Sequence, residues 1–182
     1  MFIGTMTRTN DNRKTFDTGM RKAKQIAFNH VHMLLIMTCD DLIADAIENK
    51  EYGNLTGNTV TSYACGLYSD GSLSYVSMSA DKMKKPIRVK VTKGKWVRLN
   101  PDYDGRTRSF KGSVETDEGY GYDTSMKFLK SYKPKSNKGI DLVMCTGTEY
   151  SSYLESELGL NVLTETFQGI RKVLQSNFKP MT

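Results

Sequence analysis

The helical pattern running from about Thr18 to Asn49 constrains this chain more than any other feature. Ala23, Ala27, His30, Val31 and Leu34 recur at three- and four-residue steps, the spacing that gathers side chains on one side of an α-helix. As one helix the segment spans roughly 48 Å at 1.5 Å per residue, more than a small domain covers alone. The apolar side also moves. At about 100° per residue the first half centres near Ala27 and Leu34, whereas Asp41 and Asp45 fall on that same side and Leu42, Ile43, Ala46 and Ile47 face elsewhere. Either the helix breaks near Thr38 to Asp41, with Thr38 or Asp40 capping a new start, or one helix packs on its own sheet and then on a neighbouring subunit.

Gly53 and Gly57 close the helical part. Thr59 to Tyr68 is rich in Thr, Val and Tyr, and Asp70-Gly71 supplies a turn signal before Leu73, Tyr75 and Val76, so a hairpin is expected. A second pair follows. Ile87, Val89 and Val91 alternate with Arg88 and Lys90, Lys93-Gly94-Lys95 turns the chain, and Trp96-Val97-Arg98-Leu99 returns, leaving one apolar and one cationic face. Residues 100–122, dense in Gly, Asp, Arg and Tyr, read as a long loop, with Gly119-Tyr120-Gly121 a turn within it.

Asp123 to Tyr132 has the pattern of a short helix capped by Asp123 or Thr124 and stopped by Pro134, and Ile140 to Cys145 reads as a buried strand completing the sheet. Glu149 to Leu158 is a short helix ended by Gly159, and Asn161 caps a last helix whose Leu163, Phe167, Ile170, Leu174 and Phe178 share a face. This order of elements implies an α+β fold. A mostly antiparallel sheet of about four or five strands packs against the long N-terminal helical segment, residues 16–50, and the C-terminal helix. A basic hairpin and a long loop project from it. A single domain over residues 1–182 is expected: residues 1–15 an extended arm, 58–99 two hairpins, 100–122 the loop, 140–182 the core strand and C-terminal helices.

At 182 residues the chain can bury roughly two thirds of its unfolded surface. Cys39, Cys65 and Cys145 are odd in number and far apart, which suits free thiols in a reducing cytoplasm. His30 and His32 point to different sides of a helix and have no cysteine at ligand spacing, so neither a metal nor a cofactor is expected. Stretches of eighteen consecutive apolar residues are missing, so no membrane partner is expected either. The net charge of +6 is unevenly placed: from Asp81 to Lys111 eleven Lys and Arg stand against three Asp, a net of +8.

Two short segments carry a family resemblance: Thr56-Gly57-Asn58 after the first helical segment, and Tyr150, Tyr153 and Glu155 ahead of Asn161-Val162-Leu163 and the last helix. Their order resembles the tail-completion and neck proteins of tailed bacteriophages, which form head-tail connector rings between portal and tail. The resemblance covers about the first seventy residues and the last forty-five. It implies a structural subunit of the virion neck, assembled in the host cytoplasm as a closed ring of six or twelve identical copies that touches portal or adaptor and tail proteins.

No base, nucleophile or metal cluster has the spacing of a catalytic site; the adjacent Asp40 and Asp41 cannot reach one substrate atom from a helix. The chain does not read as an enzyme. Lys84, Lys85, Arg88, Lys90, Lys93, Lys95 and Arg98, beside Trp96, form a basic face. It suits sequence-blind contact with DNA in a genome channel, an acidic neighbouring subunit, or solvent. Tyr150, Tyr153 and Glu155 read first as core and capping residues and Thr56, Gly57 and Asn58 as a backbone turn. The rival reading is a small basic nucleic-acid-binding module.

Overall fold

The structure, a computed structural model, describes residues 9–54, 56–86, 88–98, 107–109, 114–116 and 119–178. Helix α1 is assigned from Thr9–Glu48, and the chain divides into two compact units, one through Leu35 and one from Ile36. In the first unit residues 12–30 are all exposed. Local bonds support the helix there: the Thr18 hydroxyl donates to the Lys14 carbonyl at 2.8 Å, the Gln25 amide to Asn29 at 2.8 Å, and the Phe28 and His32 rings stack. Of the arm expected over residues 1–15, residues 9–15 are helical and the rest lie outside the described residues.

The second unit is built on a three-stranded antiparallel sheet ordered β2-β1-β7, of β1 Tyr63–Ser69, β2 Ser72–Met78 and β7 Ile140–Thr146. Between β1 and β2, Asp70 and Gly71 both take positive φ, 48° and 80°, the requirement of a two-residue I′ hairpin turn. That hairpin is as expected. The central strand is β1, buried along all but its last residue, whereas β7 is an edge strand of intermediate exposure rather than the core strand its sequence suggests. An apolar run does not fix a strand's position in the sheet.

Alternation along β1 sends its two faces to two helices. Cys65 meets Cys39 of α1 and, on the same face, Tyr75 and Ser77 of β2 donate to the Asp40 carboxylate at 3.0 and 2.5 Å. The opposite face, with Ala64 and Met78, packs on Leu129 of α2, Tyr120–Ser131. Cys39, Leu42, Ile43 and Ala46 of α1 are at most 1 % exposed. The helix continues through residues 38–41 without the break entertained above. Its acidic residues on the side away from the sheet have partners: Asp41 accepts from the Asn177 amide at 2.8 Å and Asp45 from the Thr166 hydroxyl at 2.9 Å, both on α4, Thr164–Asn177. The C-terminal helix is therefore tied to α1, and the layer opposite α1 is α2.

Helix α2 begins at Tyr120, three residues before the expected Asp123, because Gly121 lets its first turn press on the rest of the unit. A Cβ on Gly121 would stand 2.6 Å from Ser62 Cβ, and one on Gly147 would stand 2.0 Å from the Gly121 carbonyl oxygen. The Ser125 hydroxyl donates to the Ser62 carbonyl at 2.5 Å across the same seam. Helix α3, Glu149–Ser156, precedes α4; Gly159, at φ 61°, turns the chain between them.

The expected second hairpin is corrected. Strand β3, Val89–Val91, pairs with β6, Val114–Thr116, and β4, Trp96–Arg98, pairs with β5, Thr107–Ser109. From Val91↔Val114 to Trp96↔Ser109 the register advances 96 − 91 = 5 residues on one leg and 114 − 109 = 5 on the other. These are two separate two-stranded pairs of matched spacing, together the basic ribbon below. Residues 107–109 and 114–116, read as loop, are the returning strands, so the four- or five-stranded sheet expected is a three-stranded sheet plus two separate two-stranded pairs. Ile87, Leu99 and residues 100–106, 110–113 and 117–118 of those two segments lie outside the described residues.

Candidate interaction surface

The cations of the ribbon are exposed. Lys84 and Lys85 precede it, Arg88 and Lys90 lie on its first leg, Lys93 and Lys95 flank Gly94 at its interruption, and Arg98 is on β4; all are exposed. The interruption is tight, the Lys95 amide donating to the Thr92 carbonyl at 3.1 Å while Gly94 takes φ 78°. Trp96 is 72 % exposed among these cations. Register sets Lys90 opposite Glu115 and Val97 opposite Arg108. An exposed basic ribbon with an aromatic ring neutralises phosphates or acidic side chains without reading a sequence.

Thr56, Gly57 and Asn58 are buried and make the turn into β1. Thr56 Oγ1 accepts from the Asn58 amide at 3.2 Å, Gly57 takes φ 91°, and its carbonyl accepts both the Thr61 amide at 3.0 Å and the Thr61 hydroxyl at 2.8 Å. Next to this turn the phenol of Tyr52 bonds that of Tyr63 in the core, and burial pushes both phenols well above their ordinary range.

Glu155 holds the start of α4. Its Oε1 accepts from the Leu163 amide at 2.7 Å and the Thr164 amide at 2.9 Å, while Asn161 Oδ1 accepts from Glu165 at 3.2 Å. Burial raises this carboxyl, but bonds from the Leu163 and Thr164 amides, the Thr164 hydroxyl and the Val162 amide outweigh it and leave the pKa below the ordinary value. A depressed folded pKa gives stability that is full above the unfolded value, about 4.3, and is lost as pH falls through the folded one. Glu155→Ala is expected to cost about 1–2 kcal/mol at pH 7, and the gap from the unchanged protein should close toward pH 3. Urea unfolding across that range checks it; a gap independent of pH contradicts it.

The tyrosines do not serve the core. Tyr150 is 57 % and Tyr153 46 % exposed, their rings stacked with centroids 5.4 Å apart on the outside of α3. Phe167 of α4 is 56 % and Leu158 50 % exposed, so the apolar side expected to bury α4 is only partly covered. Sequence spacing showed the stripe on α4 but not that Thr166, a polar residue, is the position it buries.

Catalytic geometry is not assembled among the described residues. A groove lined by Thr148, Ser151, Ser152 and Glu155 holds hydroxyls that bond one another, Thr146 to Ser151 at 2.9 Å and Thr148 to Ser151 at 2.6 Å, and its carboxylate is taken up by α4. No group of three metal-ligating side chains occurs among those residues. The three cysteines are free; the Cys39 contact and burial push the Cys65 thiol up, and burial takes Cys145 to about 11, opposed by a bond to Ser125, so neither is a ready nucleophile. By length and composition α1 also passes as a membrane-crossing helix, with an 18-residue window of mean hydropathy 1.2. No protein-family model, curated protein or solved structure matches the chain.

Proposed function

We propose that this chain is a structural subunit of a phage neck, one of six or twelve identical copies in a closed ring connecting portal or adaptor to tail proteins in the virion, put together in the host cytoplasm. The observation that carries the reading is the first half of α1. Residues 12–30 are exposed throughout, yet Phe16 and Ile26 present 66 % and 70 % of their surface to water. Large apolar side chains on an extended helix surface mark a face that another chain covers. The buried Thr56-Gly57-Asn58 turn and the Glu155 cap agree with the structural duty given to those residues by the resemblance. In a ring, the basic ribbon lines the genome channel or rests on an acidic neighbour; contact with DNA there is sequence-independent and weak, since tight binding hinders passage.

Electron-microscope images of the intact particle with a labelled copy of this chain test the proposal: the label belongs at the neck, and a particle without it contradicts the reading. The nucleic-acid-binding module stays the rival because Trp96 and the ribbon cations are exposed together. DNA binding by a monomer, falling steeply with salt, favours that rival.

A further inference from the structure

Two surfaces of this chain carry opposite charge and exposed apolar groups. In residues 12–35 of α1, Arg13, Lys14, Arg21, Lys22 and Lys24 stand against Asp17, so five minus one gives a net of +4. On the same helix Phe16, Gly19, Ala23, Ile26, His30 and Met33 follow one another at steps of three and four, the heptad spacing that lays a seam against a partner. Phe16, Ile26 and Met33 on that seam are 66, 70 and 59 % exposed. Residues 149–167, across α3 and the start of α4, hold Glu149, Glu155, Glu157 and Glu165 with no Lys or Arg, a net of −4. Their exposed apolar groups are Tyr150, Tyr153, Leu158 and Phe167.

We infer that the basic, apolar first half of α1 from one copy docks on the acidic, aromatic α3–α4 surface of the next copy. The inference rests on the ring reading and names the interface that makes the ring. A patch that binds a different patch on an identical chain is heterologous, the kind of contact that closes into a ring when its rotation divides a full turn. The matched charges pair one copy's helix with its neighbour's face and oppose pairing like with like, because two +4 helices or two −4 surfaces repel. The stacked Tyr150 and Tyr153 rings give lysine and arginine side chains a flat surface on which to lie. Glu155, held by the α4 amides, stays in its cap, which leaves the exposed Glu149, Glu157 and Glu165 to meet the cations.

The test is a charge exchange read by native mass measurement. One variant carries Arg21→Glu, Lys22→Glu and Lys24→Glu; the other carries Glu149→Lys, Glu157→Lys and Glu165→Lys. Each variant alone should lose assembly while keeping the circular dichroism and melting of the unassembled chain. The equimolar mixture should regain it, with the two variants alternating. Variants that assemble alone as the unchanged chain does, or a mixture that fails to recover, overturn the interface and leave the ring reading standing. An unchanged chain that stays monomeric both alone and with portal and tail proteins defeats the ring reading itself, and the interface with it.

Discussion

Gly147→Ala is expected to lower the stability of the folded chain by about 3 kcal/mol or more, at the top of what overpacking costs. The added methyl would stand 2.0 Å from the Gly121 carbonyl oxygen and 2.6 Å from the Ser125 amide nitrogen, both backbone atoms of α2 that no rotamer change moves. The start of α2 must then lift from the end of β7, and the Ser125 to Ser62 bond at 2.5 Å breaks with it. Gly169→Ala is the control. It lies inside α4 with nothing within 4 Å of its added Cβ, where alanine should stabilise by about 0.5–1 kcal/mol. Urea unfolding midpoints of the two variants should move in opposite directions. A Gly147→Ala protein as stable as the parent contradicts the packing described.

Leu42→Ala and Ile26→Ala form the second contrast, on one helix. Leu42 is fully buried, so its truncation should cost about 2–5 kcal/mol. Ile26 is 70 % exposed, and the same truncation should change the stability of the unassembled chain by less than about 0.5 kcal/mol. Assembly should respond the other way, Ile26→Ala weakening it at a concentration where the parent associates. Unfolding curves below that concentration and mass measurement above it separate the two effects. An Ile26→Ala variant with a large loss in the unassembled state would mean that this residue is covered by its own chain.

The elements that local chemistry dictates were legible in the sequence. Asp70-Gly71 specified its turn, the β1–β2 hairpin followed, and Gly159 and Asn161 marked the passage between α3 and α4. Reading failed where distant partners decide. Asp41 and Asp45 looked like the disruption of a helix because Asn177 and Thr166, far along the chain, supply their hydrogen bonds. The turn at Lys93-Gly94-Lys95 looked like a hairpin because nothing local distinguishes a reversal from an interruption; only the pairing of its flanks with residues 114–116 and 107–109, not with each other, shows the difference. Gly121 looked like part of a turn, whereas its missing side chain is what admits Ser62 and the Asn58 carbonyl.

The interaction surfaces divided in the same way. The basic residues were readable as exposed because alternation with valine leaves them no other side, and they are exposed. Tyr150 and Tyr153 were misplaced because amphipathic rings suit core and surface alike, and spacing does not say which side of α3 the sheet leaves open. The first half of α1 was read by the stripe of Ala23, Ala27, His30, Val31 and Leu34, and the seam of Phe16, Ile26 and Met33 beside it was missed. Residues 12–30 are exposed among the described residues, which spacing alone does not say.

Native mass measurement of the purified chain, alone and after addition of portal and tail proteins, tests the central claim most directly. The account predicts one sharp closed species of six or twelve copies, formed alone or on those partners. A monomer under both conditions would contradict it.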